Sequence, residues 1–173
     1  MFSRARRVLA LLLFVVPSLA SAQEAGDVGI AMGYPTTAGL IWHLSDTIAV
    51  RPDVTFAWTS TDGDAILDRT STTVGLGASA LLYLSHVDAL RTYVSPRFGW
   101  SHNSSESSST NFASDTYSFS GSFGAQYRLG DRFGVYGEIG IQYSQATSDT
   151  IIITSATSHS WGMRSGVGAI LYF

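Results

Sequence analysis

The stretch Ile48–Ser60, IAVRPDVTFAWTS, decides the fold of this chain. Its even-numbered positions are mostly large and apolar, as at Phe56 and Trp58, whereas its odd-numbered positions are small, polar or charged, as at Arg51 and Asp53. Successive side chains of a β-strand point to opposite faces of the sheet. A period of two therefore predicts a strand with one apolar and one polar face.

The same period recurs along the chain, most clearly in Asp115–Leu129 and Phe133–Gln145, and helical periodicity is absent after the first residues. Turn signals divide the chain into eight such segments. The connections between them alternate between long polar stretches and short turns, which is typical of an all-β, eight-stranded antiparallel transmembrane up-and-down β-barrel. We predict strands at residues 27–34, 38–44, 48–60, 70–84, 91–102, 115–129, 132–146 and 158–173.

The first 22 residues have the pattern of a secretory signal peptide. Arg4, Arg6 and Arg7 precede the apolar run Val8–Val16, and Ala20–Ala22 supplies a small-residue cleavage site. A membrane-spanning helix needs about 20 apolar residues, so this run is too short for an uncleaved anchor. We predict that residues 23–173 form one exported barrel domain.

The composition narrows the class of protein further. Charged residues make up 13% of the chain, lysine and cysteine are absent, and the net charge is −3. Removal of the three leader arginines makes the remaining chain more acidic, which disfavours nucleic acid as a partner. The lack of cysteine excludes disulfides and thiolate metal sites.

A soluble barrel is the alternative, and the position of the aromatic residues argues against it. All four tryptophans lie on the apolar face of their strands, whereas the charges within strands lie on the other face. A membrane barrel requires this arrangement, with the apolar face toward lipid and aromatic belts at both interfaces. The predicted aromatic girdles are Trp42, Trp58, Trp100, Tyr117, Tyr127, Phe133, Tyr143, Trp161 and Phe173.

The C-terminal stretch Ser165–Phe173, SGVGAILYF, ends on an aromatic residue after alternating apolar positions. It resembles the assembly signal of bacterial outer-membrane barrels, with Gly168, Leu171 and Phe173 at the signal positions and Gly166 where a polar residue is usual. The whole chain resembles small OmpA/OmpX-type barrels of the outer-membrane β-barrel domain family. This resemblance implies a location in the bacterial outer membrane, with its lipids and the barrel-assembly machinery as partners.

The interior of an eight-stranded barrel is just wide enough for side chains to fill it. Five charged residues share the inward face, and an unpaired buried ion is costly, so we expect them to form a paired network that closes the lumen. The predicted network consists of Arg51, Asp53, Arg97, Glu138 and Arg164. The favoured function is a closed barrel in envelope structure or surface interaction, and the alternative is a narrow or gated channel.

A membrane-embedded lipid hydrolase or acyltransferase is a lesser alternative. His102, Ser104 and Glu106 share one strand face and supply the residue types of an activated nucleophile. Their successive spacing of roughly 7 Å along a strand is too long for direct hydrogen bonds. We therefore predict no catalytic residues and no enzyme activity.

Other candidate sites carry weaker signals. His43, His86 and His159 fall on separate elements, and the turn at residues 62–64 lacks the rest of a calcium loop, so we predict no metal or cofactor site. Pro52 and Pro96 fall inside predicted strands, where each removes a backbone donor. We expect a β-bulge at each proline.

Overall fold

The computed structural model describes residues 25–35, 37–61, 69–107, 110–150 and 153–173. It confirms eight antiparallel strands in which every strand pairs with its neighbours in sequence and β1 pairs with β8, so the barrel is closed. The predicted signal peptide and the turn at residues 62–64 lie outside the described residues. The strands are β1 Val28–Tyr34, β2 Thr37–Ser45, β3 Ile48–Thr61, β4 Arg69–Val87, β5 Leu90–Ser107, β6 Thr110–Arg128, β7 Phe133–Thr150 and β8 Ile153–Tyr172.

Burial along the strands alternates as the sequence pattern requires. In β3, Arg51 and Asp53 are buried inside the barrel, whereas Val54, Phe56 and Trp58 are exposed on its outer surface. The other strands repeat this arrangement, so the outer surface is largely apolar. The described part of the chain contains no helix with the length and hydropathy to cross a membrane.

Several strands are longer than predicted at the end with the long connections. The Ser-rich stretch after His102, predicted as a loop, instead continues β5 to Ser107 and resumes as β6 at Thr110. β7 and β8 likewise continue to Thr150 and from Ile153. The apolar alternation stops near these ends, but the backbone ladder continues through residues that are mostly Ser, Thr and Asn. The predicted strand ends here are therefore wrong.

The expected bulges at the two prolines are also wrong. Pro52 pairs in register with Ala78 of β4, and Pro96 pairs in register with Gly121 of β6. Toward its other neighbouring strand, each proline lies where the pairing is interrupted for two residues. The register of the two strands is the same before and after this interruption. The missing N–H therefore faces one neighbouring strand, and the ladder loses bonds there without inserting a residue.

The short turns close the opposite end of the barrel. In the β4–β5 turn, Asp88 has a φ of 52°, a left-handed conformation that Asp tolerates better than most residues. The carbonyl of Ala89 accepts a hydrogen bond from the backbone of Arg128, which ties this turn to β6. This end is periplasmic in barrels with this topology.

Candidate functional site

The five predicted lumen ions all face the interior. Arg51, Asp53 and Glu138 are buried, and Arg97 and Arg164 are partly buried. They come from β3, β5, β7 and β8, so the interior brings together charges that lie far apart in sequence. Four of them form two ion pairs, and the fifth, an arginine, has no carboxylate partner among the described residues.

The first pair lies near the centre of the lumen. Arg51 Nη2 donates a hydrogen bond of 2.6 Å to Glu138 Oε1, and Tyr93 Oη donates one of 2.9 Å to the same oxygen. The Arg51 guanidinium also lies 4.9 Å from the ring centroid of Tyr136. A buried carboxylate needs donors on its oxygens, and Glu138 receives two of them.

The second pair is bidentate. Arg97 donates from Nη2 to Asp53 Oδ1 and from Nε to Asp53 Oδ2, the latter over 3.2 Å. A Cβ at Gly77 or Gly99 would lie within 3 Å of the Arg97 guanidinium. These two glycines therefore leave the room in which Arg97 lies flat against the wall and reaches Asp53.

Arg164 is the remaining arginine. Among the described residues it has no ion pair and no hydrogen bond. It lies within electrostatic reach of Arg97, Arg51 and both acids, and it lines a cavity of about 210 Å³ together with the residues of the two ion pairs. The site therefore carries one more positive than negative charge.

Below the ion pairs, the periplasmic half of the lumen is filled by a second network. Tyr83 Oη donates to Gln126 Oε1 over 3.0 Å, and Gln126 Nε2 donates to Tyr172 Oη over 2.7 Å. His43 stacks on Tyr83 with ring centroids 5.6 Å apart. This chain of side chains connects β2, β4, β6 and β8 and crosses the whole barrel.

Arg91 completes the closure at the periplasmic end. Its guanidinium lies 4.0 Å from the ring centroid of Tyr83, and its Nη2 donates to the backbone carbonyl of Asp46 in the β2–β3 turn. Buried Ile41 and Leu81 pack into the same half of the lumen. The lumen is therefore narrowest and most apolar on the periplasmic side.

Sequence reasoning missed four residues of this lower network: His43, Arg91, Gln126 and the apolar Ile41. Arg91 has the same parity as Tyr93 and Arg97, and Gln126 has the parity of the serines of β6, so the inward face of both was readable. The inward face of Ile41 also followed from parity, since its neighbour Trp42 was predicted to face lipid, but an apolar residue inside the lumen departs from the polar inward pattern.

Glycines on neighbouring strands make room for the lumen tyrosines. Tyr93 pairs across strands with Gly124, where an added Cβ would lie 2.5 Å from the tyrosine ring. Tyr136 pairs with Gly168, where the same distance is 2.6 Å. Gly168, predicted as part of the assembly signal, therefore also has a packing role inside the barrel.

The predicted girdle residues lie on the outer surface near the two ends of the apolar band. Trp58 and Trp161 are strongly exposed on the extracellular side, where Tyr143 packs on Trp161 with centroids 5.2 Å apart. Phe173 is partly buried, and its backbone N–H donates to the Val28 carbonyl over 3.1 Å. The remaining girdle residues are Trp42, Tyr127 and Phe133 at the periplasmic end and Trp100 and Tyr117 at the other.

The proposed nucleophile group does not assemble. His102 Nδ1 lies 3.0 Å from Asp115 Oδ1 on the neighbouring strand, and both side chains are about half exposed. Within the described residues, His102 makes no hydrogen bond to Ser104 or Glu106. The described residues also contain no group of three or more His, Asp or Glu side chains suited to a metal ion.

The chain matches one protein family and resembles solved barrel structures. The model of the outer membrane protein β-barrel domain family matches residues 8–173, and no curated protein matches the chain. The structure of a major outer membrane protein from Thermus thermophilus is similar, with a TM-score of 0.55 and 12% identity over 87% of this chain and 100% of that chain. The structure of Ail, the attachment invasion locus protein of Yersinia pestis, gives a TM-score of 0.46 and 11% identity over 85% of this chain and 94% of that chain. At 12% identity, the first likeness concerns the fold alone.

Proposed function

Since this chain belongs to the outer membrane protein β-barrel domain family, we propose that it is a closed barrel that acts in envelope structure or surface interaction. Its location is the bacterial outer membrane. Outer-membrane lipids around the girdles, and the barrel-assembly machinery during insertion, are its proposed partners.

The observation that carries this proposal is the side-chain network across the lumen. Arg51 of β3 bonds Glu138 of β7, and Tyr83 of β4 connects through Gln126 to Tyr172 of β8. Tyr93 has no exposed surface at all. A hydrated solute would have to break several buried hydrogen bonds to pass, and each orphaned buried group costs about 1–3 kcal/mol.

The extracellular rim supports a role at the cell surface. β5, β6, β7 and β8 extend well beyond Trp100, Tyr117, Tyr143 and Trp161 of the upper girdle. Their ends are rich in Ser, Thr, Asn and Gln and poor in charge. Rigid, paired strands with small polar side chains form a surface on which a partner can dock with little loss of conformational entropy.

A narrow or gated channel is the second candidate. The observation in its favour is the cavity in the lumen. Three arginines and the two acids Asp53 and Glu138 line it, so its net positive charge would favour anions. The periplasmic network would then have to act as the gate. A catalytic role finds less support, because His102 bonds Asp115 and no described serine hydroxyl bonds it.

Two measurements on cells test the proposal. A deletion strain is complemented with the full chain or with a variant whose β5–β6 hairpin is shortened by removing residues 104–113. We expect the deletion to leave the uptake of small anionic solutes unchanged, and both the deletion and the shortened variant to reduce attachment to surfaces. Reduced anion uptake with unchanged attachment would instead support the channel.

A further inference from the structure

The barrel wall is shorter at β1 and β2 than at β8 and β3, the strands on either side of them. The β1–β2 hairpin ends early, and its last pairs are Tyr34 with Val167 of β8 and Thr37 with Thr55 of β3. Beyond these pairs both β8 and β3 continue toward the extracellular end. We call the resulting gap above the hairpin the notch; it is bounded by Tyr34 below, by β8 on one side and by β3 on the other.

The notch opens at the depth of lipid. Trp161 of the upper girdle lies six residues beyond Val167, and Trp58 lies three residues beyond Thr55. At the usual rise and tilt these separations are roughly 15 Å and roughly 8 Å along the membrane normal. The hairpin therefore ends below the girdle, beside the acyl chains of the outer leaflet.

The edges of the notch are apolar on the outer surface. Met163 of β8 is 80% exposed, and Phe56 of β3 is 64% exposed. Tyr34 at the end of the hairpin is similarly exposed. An acyl chain can lie against these side chains without losing contact with the bilayer.

Directly inside the notch is the cavity of about 210 Å³. The hairpin residues Tyr34 and Thr37 line it together with Arg164, Arg51 and Gln142. Pockets for drug-sized ligands measure about 300–1,000 Å³, so this cavity has room for a head group and not for a whole lipid.

The cavity presents positive charge that the protein does not neutralise. Arg164 has no ion pair among the described residues, since Glu138 bonds Arg51 and Asp53 bonds Arg97. An arginine without a counter-charge inside the barrel is costly, and an acceptor bearing a negative charge in the cavity would satisfy Arg164.

We propose that the notch and cavity bind an acyl amphiphile with an acidic head group. The carboxylate or phosphate lies in the cavity against Arg164, and the acyl chain leaves through the notch past Met163 and Phe56. A free anion would satisfy Arg164 equally well, but it would not use the opening toward lipid. This binding site does not depend on the function proposed above. A ligand in the cavity leaves the side-chain network in the periplasmic half of the lumen in place.

The test uses radiolabelled laurate and the refolded full-length barrel in phosphatidylcholine nanodiscs, with empty nanodiscs as the blank. We expect saturable binding that weakens roughly 10- to 100-fold in Arg164→Gln, the range for a lost hydrogen bond to a charged group. Arg132→Gln, which removes an exposed arginine of the β6–β7 turn, should bind as the wild type does. Heat-modifiable migration on gels verifies that each variant is folded.

A second variant and two competitors distinguish a lipid from a free anion. Ser165→Trp places a large side chain at the exposed edge of the notch and should weaken laurate binding while Arg164 remains. Acetate and inorganic phosphate should compete poorly, because they lack the acyl chain. Equal binding by wild type and Arg164→Gln would overturn the site, and acetate or phosphate binding as tightly as laurate would overturn the lipid as its ligand.

Discussion

Arg51 and Glu138 meet across the full diameter of the barrel. Their strands, β3 and β7, are four apart in a ring of eight, and the two side chains are joined by a hydrogen bond of 2.6 Å. An ion pair between neighbouring strands would leave a passage beside it, whereas one between opposite strands divides the lumen. The proposed closure of the lumen therefore depends on this pair and on the tyrosines around it.

Breaking this pair should destabilise the barrel strongly. In Glu138→Gln, Arg51 loses its counter-charge in a buried site, and we expect the free energy of unfolding to fall by about 3–5 kcal/mol. Urea unfolding from lipid vesicles measures this. Glu106→Gln, at an exposed position of β5, is the matched control and should change stability little. Equal stability of both variants would show that the Arg51–Glu138 pair contributes little.

The room that glycine leaves for Tyr93 gives a second prediction. An added Cβ at Gly124 would lie 2.5 Å from the Tyr93 ring, which is fully buried and held by Glu138. We expect Gly124→Ala to cost about 1–3 kcal/mol through overpacking. Nothing lies within 4 Å of the corresponding atom at Gly137, so Gly137→Ala should be neutral or slightly stabilising. Urea unfolding of both variants measures the change in the free energy of unfolding. No change in Gly124→Ala would show that the Tyr93 ring can move away from the added Cβ.

The terminal aromatic should act in assembly more than in stability. Phe173→Ser and Phe133→Ser each remove one aromatic side chain from the periplasmic rim, but only the first alters the proposed assembly signal. We expect Phe173→Ser to lower the amount of folded barrel in cells several-fold, with similar refolding of both variants in detergent. Heat-modifiable gel migration measures both, and equal amounts of the two variants in cells would contradict the assignment.

Processing of the N terminus is the fourth prediction. Because Ala20–Ala22 has the small side chains of a signal-peptidase site, mature protein should begin at Gln23. N-terminal sequencing or intact mass of protein purified from outer membranes measures this. A mass that includes the first 22 residues would show that the leader is retained.

The fold could be predicted because the membrane barrel imposes one simple rule on every strand. Alternation within stretches such as Ile48–Ser60 predicted the strands and the side that faces outward, and the turn signals between them gave the number of strands. The ends of β5 and β6 could not be predicted in the same way, because beyond the lipid both faces of a strand are polar. The bulges expected at the prolines were wrong for a related reason. Whether Pro52 requires a bulge depends on which neighbouring strand its missing N–H faces.

The candidate site was less accessible to sequence reasoning. Parity gives the inward face of Arg51 and Glu138, but their contact depends on barrel diameter and on the space left by glycines such as Gly124. The notch above the short β1–β2 hairpin follows only from the observed register with Val167 and Thr55. Distances between strands that are far apart in sequence decide these features.

Single-barrel conductance in planar lipid bilayers tests the closed lumen most directly. Refolded wild-type protein should insert without steady conductance steps, because Tyr93, Glu138 and the Tyr83–Gln126–Tyr172 chain fill the periplasmic half of the lumen. A double variant, Tyr83→Ala with Tyr93→Ala, serves as the opened control and should conduct. Large, steady conductance from the wild type would contradict the closed barrel.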